Sequence, residues 1–249
     1  MTRRAPRSAH AAAGASLDVV FRCPPELDGL LPRPVPARRG LPDWLKAMPM
    51  TAPSEDAGGP VRTVKQCPPL IDAMSSGFLI PLATDLRIEE GRFSWDWPLP
   101  PSSVGRYTRS PIAFHLNDQA VGTPLYEADR ALIKFNNFWA IELPPGYSLL
   151  ATHPFNREEL PFRTLTGLVD ADLYKDAFIQ FPARWRDPAY SGVLPAGTPI
   201  AQCIPVRRAA LALRFETLEG ETAARFVETK EAVNAEPGVY RRRFRARKP

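Results

Sequence analysis

The segment Ile141-Glu-Leu-Pro-Pro-Gly-Tyr-Ser-Leu-Leu-Ala-Thr152 reads as two strands meeting at a tight turn. Pro144 and Pro145 have no amide to donate to a sheet ladder, and Gly146 supplies the backbone freedom that a sharp reversal needs. Ile133–Leu143 runs into this turn and Tyr147–Thr152 runs out of it. Downstream, Gly167–Asp170 enters a second turn, Ala177–Phe181 follows as a strand, and Gly192–Leu194 leads to the turn at Pro195-Ala-Gly197. Thr198–Val206 closes the series. The segments are short, and turn signals recur every eight to twelve residues or so. That spacing predicts an all-β sandwich or barrel.

Working outward, the chain has 249 residues, enough for one large domain with elaborations. Its 29 prolines are roughly twice the typical share of about 5%, which predicts short strands and few long helices. Upstream of the barrel series, strands are predicted at Leu17–Arg22, Arg62–Lys65, Phe78–Leu82, Leu86–Ile88 and Phe93–Trp97. A short helix is predicted over Leu41–Met48. A helical turn over 67–77 ends at Gly77. Residues 24–42 and 49–60 read as surface loops. Downstream, Leu211–Leu218 reads as one more strand and Glu221–Val233 as a helix.

The formal net charge is +5, but Arg241, Arg242, Arg243, Arg245, Arg247 and Lys248 crowd the last nine residues. Without those six the balance is −1, and without Arg3, Arg4 and Arg7 as well it is −4. The folded middle is mildly acidic, so nucleic acid is expected to meet only the basic tail. Three widely spaced cysteines, Cys23, Cys67 and Cys203, make neither a disulfide framework nor a zinc pattern. They suit a reducing cytoplasm. No apolar run approaches the ~20 residues a membrane span needs. The expected organisation is a disordered tail (1–16) and a single mainly-β domain (17–218) with its core at 133–208. A helical segment (219–240) and a basic tail (241–249) follow.

Three motifs stand in order: Glu142-Leu-Pro-Pro-Gly-Tyr147, Gly167-Leu-Val-Asp-Ala-Asp-Leu-Tyr174 and Gly197-Thr-Pro-Ile-Ala-Gln-Cys-Ile204. Together they resemble the trimeric dUTPase and dCTP-deaminase group over about residues 141–206. That resemblance implies a β-clip barrel, here with a proline-rich N-terminal β and loop elaboration and a C-terminal helix. It also implies a nucleotide-like or other small polar ligand, and self-association. On its terms Asp170 falls on the acid that orients a water, a general-base role, and Gln202 falls on a phosphate-binding glutamine. The sugar-packing tyrosine aligns with Leu173, and Tyr174 stands one position later. His153-Pro-Phe-Asn-Arg157 occupies the place of a Pro-Arg-Ser-Gly phosphate element, and Arg241–Lys248 stands where the family has a glycine-rich arm. The implied site comprises Asp170, Asp172 and Tyr174 as the chemistry-bearing group, with His153, Arg157 and Gln202 as ligand contacts. Most of residues 17–245 also look like an uncharacterised family of bacterial and phage proteins, a grouping without a mechanism.

Other chemistries use the same residues. His115 and His153 with a carboxylate would suit a non-haem iron enzyme. Asp170 and Asp172 on one turn would suit Mg or another divalent ion, or would simply accept backbone amides in the turn. Trp95, Trp97, Trp139 and Trp185 would floor a pocket or fill a core. A third class is a phage-related structural or assembly protein. Whether the chain is an enzyme stays open at this point.

Overall fold

The computed structural model describes residues 16–126 and 132–246. Most of the expected N-terminal tail (1–15) and the end of the basic tail (247–249) lie outside the described residues. Val19–Arg208 is one compact unit. Residues 16–18 and 209–246 belong to another.

The first unit is mainly β. Its strands in chain order are β1 (Val20–Arg22), β2 (Val35–Pro36), β3 (Thr51–Ser54), β4 (Gly59–Arg62), β5 (Phe78–Pro81), β6 (Leu86–Glu89), β7 (Arg92–Ser94), β8 (Ile112–Phe114), β9 (Leu132–Glu142), β10 (Tyr147–Thr152), β11 (Phe162–Thr164), β12 (Gly167–Val169), β13 (Phe178–Trp185), β14 (Gly192–Leu194) and β15 (Pro199–Arg207). Two short helices, α1 (Asp43–Ala47) and α2 (Pro68–Ser75), interrupt them. Every strand pairing is antiparallel. One five-stranded sheet runs β1-β9-β13-β11, with β8 also on β9. A second runs β12-β10-β15-β5-β2. A three-stranded sheet, β14-β6-β7, and the β3-β4 hairpin complete the set.

The expected barrel is not closed. Each strand order ends at free edges among the described residues. The two large sheets are joined instead through one apolar core, with Phe135, Ile141, Phe162 and Phe181 from the first and Leu149, Ile200, Ile80 and Cys203 from the second. Burial of these side chains supplies the main driving force for the unit.

β9 is buried along nearly its whole length because both of its faces are covered. One face belongs to the shared core. The other meets a second cluster, in which Leu27, Leu31 and Leu99 pack on Phe138 and Trp139. The proline-rich segment after β1 is therefore a cover with buried leucines, and no mere surface loop. Glu26 pins it: its carboxylate accepts Ser103 N–H at 3.0 Å, Ser103 Oγ at 2.5 Å and Tyr107 Oη at 2.7 Å. The Ser103 hydrogen bonds, then that from Tyr107, hold this acid down at about 2.

The strands expected from the sequence form at 20–22, 78–81, 86–89, 132–142, 147–152, 178–185, 192–194 and 199–207. Arg62–Lys65 forms differently, since only Arg62 lies in a strand and Val64–Gln66 is a 3-10 turn. Phe93–Trp97 yields only the short β7. Residues 49–60 are not a loop but most of a hairpin, in which Pro53 faces Pro60. With two strands only, each proline nitrogen can point to an edge where no amide is required.

In the second unit, α3 (Gly220–Ala235) forms over the expected helix, and a short π-helical turn follows over Tyr240–Phe244. Leu211–Leu218 is not a strand. Its alternation fits a sheet, but no described strand pairs with it. No helix among the described residues is long and apolar enough to cross a membrane.

Candidate functional site

The six residues singled out from the motifs separate into three environments. The first surrounds Asp170 and Asp172, on the turn after β12. Asp172 is bound by Arg208 through both carboxylate oxygens, one contact at 2.8 Å, and it accepts Gly146 N–H at 2.9 Å. Its side chain is only 6% exposed. The Arg208 hydrogen bonds hold its carboxyl well below the usual range. Asp170 accepts Ser148 Oγ at 2.6 Å and Arg208 Nη1 at 3.2 Å. Its backbone carbonyl accepts the amides of Leu173 and Tyr174. This is a clamp that ties the Pro-Pro-Gly turn, β10 and the end of β15 together. Only one carboxylate of the pair accepts a backbone amide, and it does so from the opposite turn. Tyr174 stands half exposed beside the clamp.

The second environment is interior. His153, 6% exposed, accepts Thr164 N–H on Nδ1 at 3.2 Å, which places its proton on Nε2 facing the Arg157 carbonyl at 3.1 Å. Burial pushes its pKa below the ordinary value. Both ring nitrogens are engaged by protein, so the ring as placed turns no lone pair toward a metal. Gln202, 1% exposed, accepts Phe155 N–H at 3.0 Å and donates to the carbonyls of Ala73 at 2.9 Å and Ser76 at 2.7 Å. Its amide joins β15, the end of α2 and the 153–157 loop.

His115 lies elsewhere, after β8, with Nδ1 2.9 Å from Gln119 Oε1. No group of three or more His, Cys, Asp or Glu among the described residues is gathered so as to hold a metal ion. Trp139 and Trp185 are buried, and their indole N–H groups reach the carbonyls of Pro32 and Asp187. They are core, Trp97 packs partly against the core, and Trp95 is exposed.

The third environment is a cleft. Arg157 alone of the six lines a space of about 270 Å³ beside the free edge of the second sheet. Val35, Leu79, Pro81 and Pro199 line it as well, from β2, β5 and β15. Around them stand Arg39, Asp43, Lys46 and Arg157. Gly40 allows the tight approach, because a Cβ there would fall 2.4 Å from Leu79 Cδ1. Lys46 holds Asp43 at 2.8 Å across one turn of α1, and this lowers the Asp43 pKa. Arg157 is held by Glu159 through Nε. Its Nη nitrogens carry no hydrogen bond among the described residues. Arg39 is exposed and has no ion pair among them.

Three cations, one lining carboxylate and apolar walls suit an anion that also carries an apolar portion. Arg39, Asp43 and Lys46 belong to none of the three motifs. The signal in the sequence is the run Ala37-Arg-Arg-Gly-Leu-Pro-Asp-Trp-Leu-Lys46, which gathers three cations against one carboxylate. Compared with known proteins, the chain matches no family model and no curated protein sequence.

Proposed function

We propose that the Val19–Arg208 unit is a binding module for a small phosphate-bearing ligand, held in the cleft of Arg39, Lys46 and Arg157. The observation that carries this reading is the gathering of three cations, opposed by one lining carboxylate, on a cleft of a unit whose sequence holds equal numbers of cations and carboxylates. Guanidinium groups match phosphate oxygens with paired donors, and an ammonium adds a mobile point charge. The apolar side chains along the wall would carry a base or another flat group, which makes a nucleotide the leading candidate.

The resemblance to the dUTPase and dCTP-deaminase group supports the same reading from another direction. It assigns phosphate contact to the segment at 153–157, and Arg157 is the residue of that segment that lines the cleft. The residues it assigns to water activation and phosphate contact are differently engaged, Asp170 beside the Arg208 clamp and Gln202 with backbone groups. Binding is therefore the better reading, ahead of retained hydrolysis or deamination.

The test is calorimetric titration with inorganic phosphate, pyrophosphate and a deoxynucleoside triphosphate, on the full chain and on Arg39→Ala. Arg39 is exposed and its side chain makes no hydrogen bond or ion pair among the described residues, so the variant keeps its melting temperature. Loss of one charged contact worth about 1.5–3 kcal/mol weakens phosphate binding roughly tenfold or more. Added salt weakens it further. Failure of all three probes to bind the wild type at millimolar concentration, or equal binding by Arg39→Ala, overturns the reading.

A further inference from the structure

Residues 209–246 turn a series of large apolar side chains toward solvent. Leu211, Leu213 and Phe215 are 88, 79 and 92% exposed. Their spacing of two puts them on one side of an extended chain. Leu218, Phe226, Val227, Val233, Tyr240 and Phe244 follow at 41 to 58% exposed. On α3, Phe226, Val227 and Val233 share one face with Ala223, and Lys230 and Asn234 lie between them on that face. Val239 is the one buried hydrophobic residue described in this segment. A 16-residue helix with no buried residue is marginal in water unless its apolar face is covered.

Area and charge both point to what covers it. Nine side chains at these exposures offer on the order of 1,000 Å², above the roughly 800 Å² per partner that a specific interface buries. Between Glu219 and Glu236, five glutamates stand against Arg225 and Lys230, and Arg241, Arg242, Arg243 and Arg245 follow directly. The acidic helix and the basic turn attract each other even within one chain: Arg242 binds Glu236, and Arg243 lies 3.6 Å from Glu228. In an antiparallel pair of such segments, each acidic helix meets the basic end of the other. The apolar side chains of one arm meet those of the other in the same arrangement. A surface complementary to itself is the requirement for a two-fold contact.

We propose that residues 209–246 are a self-association arm whose occupant is the same arm of a second copy of this chain. The arm lies outside the Val19–Arg208 unit, and its function is independent of ligand binding in the cleft.

Sedimentation velocity on the full chain at micromolar concentration tests this. The expected mass is that of two chains, decreasing toward one at high salt. Phe226→Asp combined with Val233→Asp gives a single-chain mass, as does Leu213→Asp combined with Phe215→Asp. Neither pair alters the core of the β unit, so both retain its melting temperature and the phosphate titration of the wild type. A wild type that sediments as one chain overturns the proposal. So do variants that keep the two-chain mass, and so does covering of the arm by another protein while the isolated chain stays single.

Discussion

At the scale of single residues, His153 shows how a plausible ligand becomes a structural group. The residue is 6% exposed, with one ring nitrogen accepting from backbone and one donating to it. Burial lowers its folded pKa below the ~6.5 of an unfolded histidine. Between the two values the unfolded chain binds more protons than the folded one. The stability is thus complete above about pH 6.5 and is lost as pH falls through the lowered folded value. The chain has only three histidines, so few other groups titrate there. The melting temperature is expected to fall reversibly between pH 7 and pH 5. His153→Gln, which cannot charge, should flatten that dependence at a cost of about 1–3 kcal/mol at pH 7. A wild-type profile as flat as that of the variant would rule the account out. Gln202 makes a related point. The Ala-Gln motif was visible in the sequence, but its three backbone partners come from segments as far as 129 residues away. No local pattern reports whether a buried amide is spent on the protein or kept for a ligand.

Among the elements, the junction of α2 and β5 depends on one glycine. Gly77 has φ +69, and a Cβ there would sit 2.0 Å from the Cys203 carbonyl oxygen of β15. Gly146, at φ +85 in the Pro-Pro-Gly turn, has nothing within 4 Å of a Cβ. Gly77→Ala therefore combines left-handed strain with a backbone clash and should cost more than about 2 kcal/mol. Gly146→Ala should cost roughly 1 kcal/mol, from conformation alone. Urea melts separate them: the Gly77 midpoint falls further while the slope holds, and equal midpoints would contradict the geometry. Helix ends and long strands were legible because proline, glycine and apolar runs act locally. Ile133–Leu143 is seen as β9, and the helical turn at 67–77 as α2. The β3–β4 hairpin was not legible, because its prolines are tolerable only in a two-stranded ribbon. Arg39 and Lys46 are not legible as cleft residues for a related reason: the cleft exists only once β2 lies on β5, and that pairing spans 42 residues between Pro36 and Phe78.

For the whole molecule, the division at Arg208 and Ala209 sets up a contrast in protection. Up to Arg208 the chain is held by sheet pairing and by the Asp172 clamp. Every residue from 209 to 219 is exposed and none lies in a helix or strand. Segments of this kind are cut first by proteases because no structure has to open. Arg214 sits in the middle of this one. Native trypsin digestion of dilute protein should therefore cleave early after Arg214, leaving a fragment that still melts cooperatively. If the arms of two copies cover each other, the same cut should slow as protein concentration rises, because the susceptible population is the dissociated one. Concentration dependence at Arg214, with none at sites inside Val19–Arg208, would separate association from general stabilisation. Early cuts after Lys134 in β9 or Arg184 in β13 would instead show that the shared core is not the most protected part of the chain. The predicted order of cleavage follows from where the apolar area lies. The β unit buries its own, and the arm leaves its own exposed.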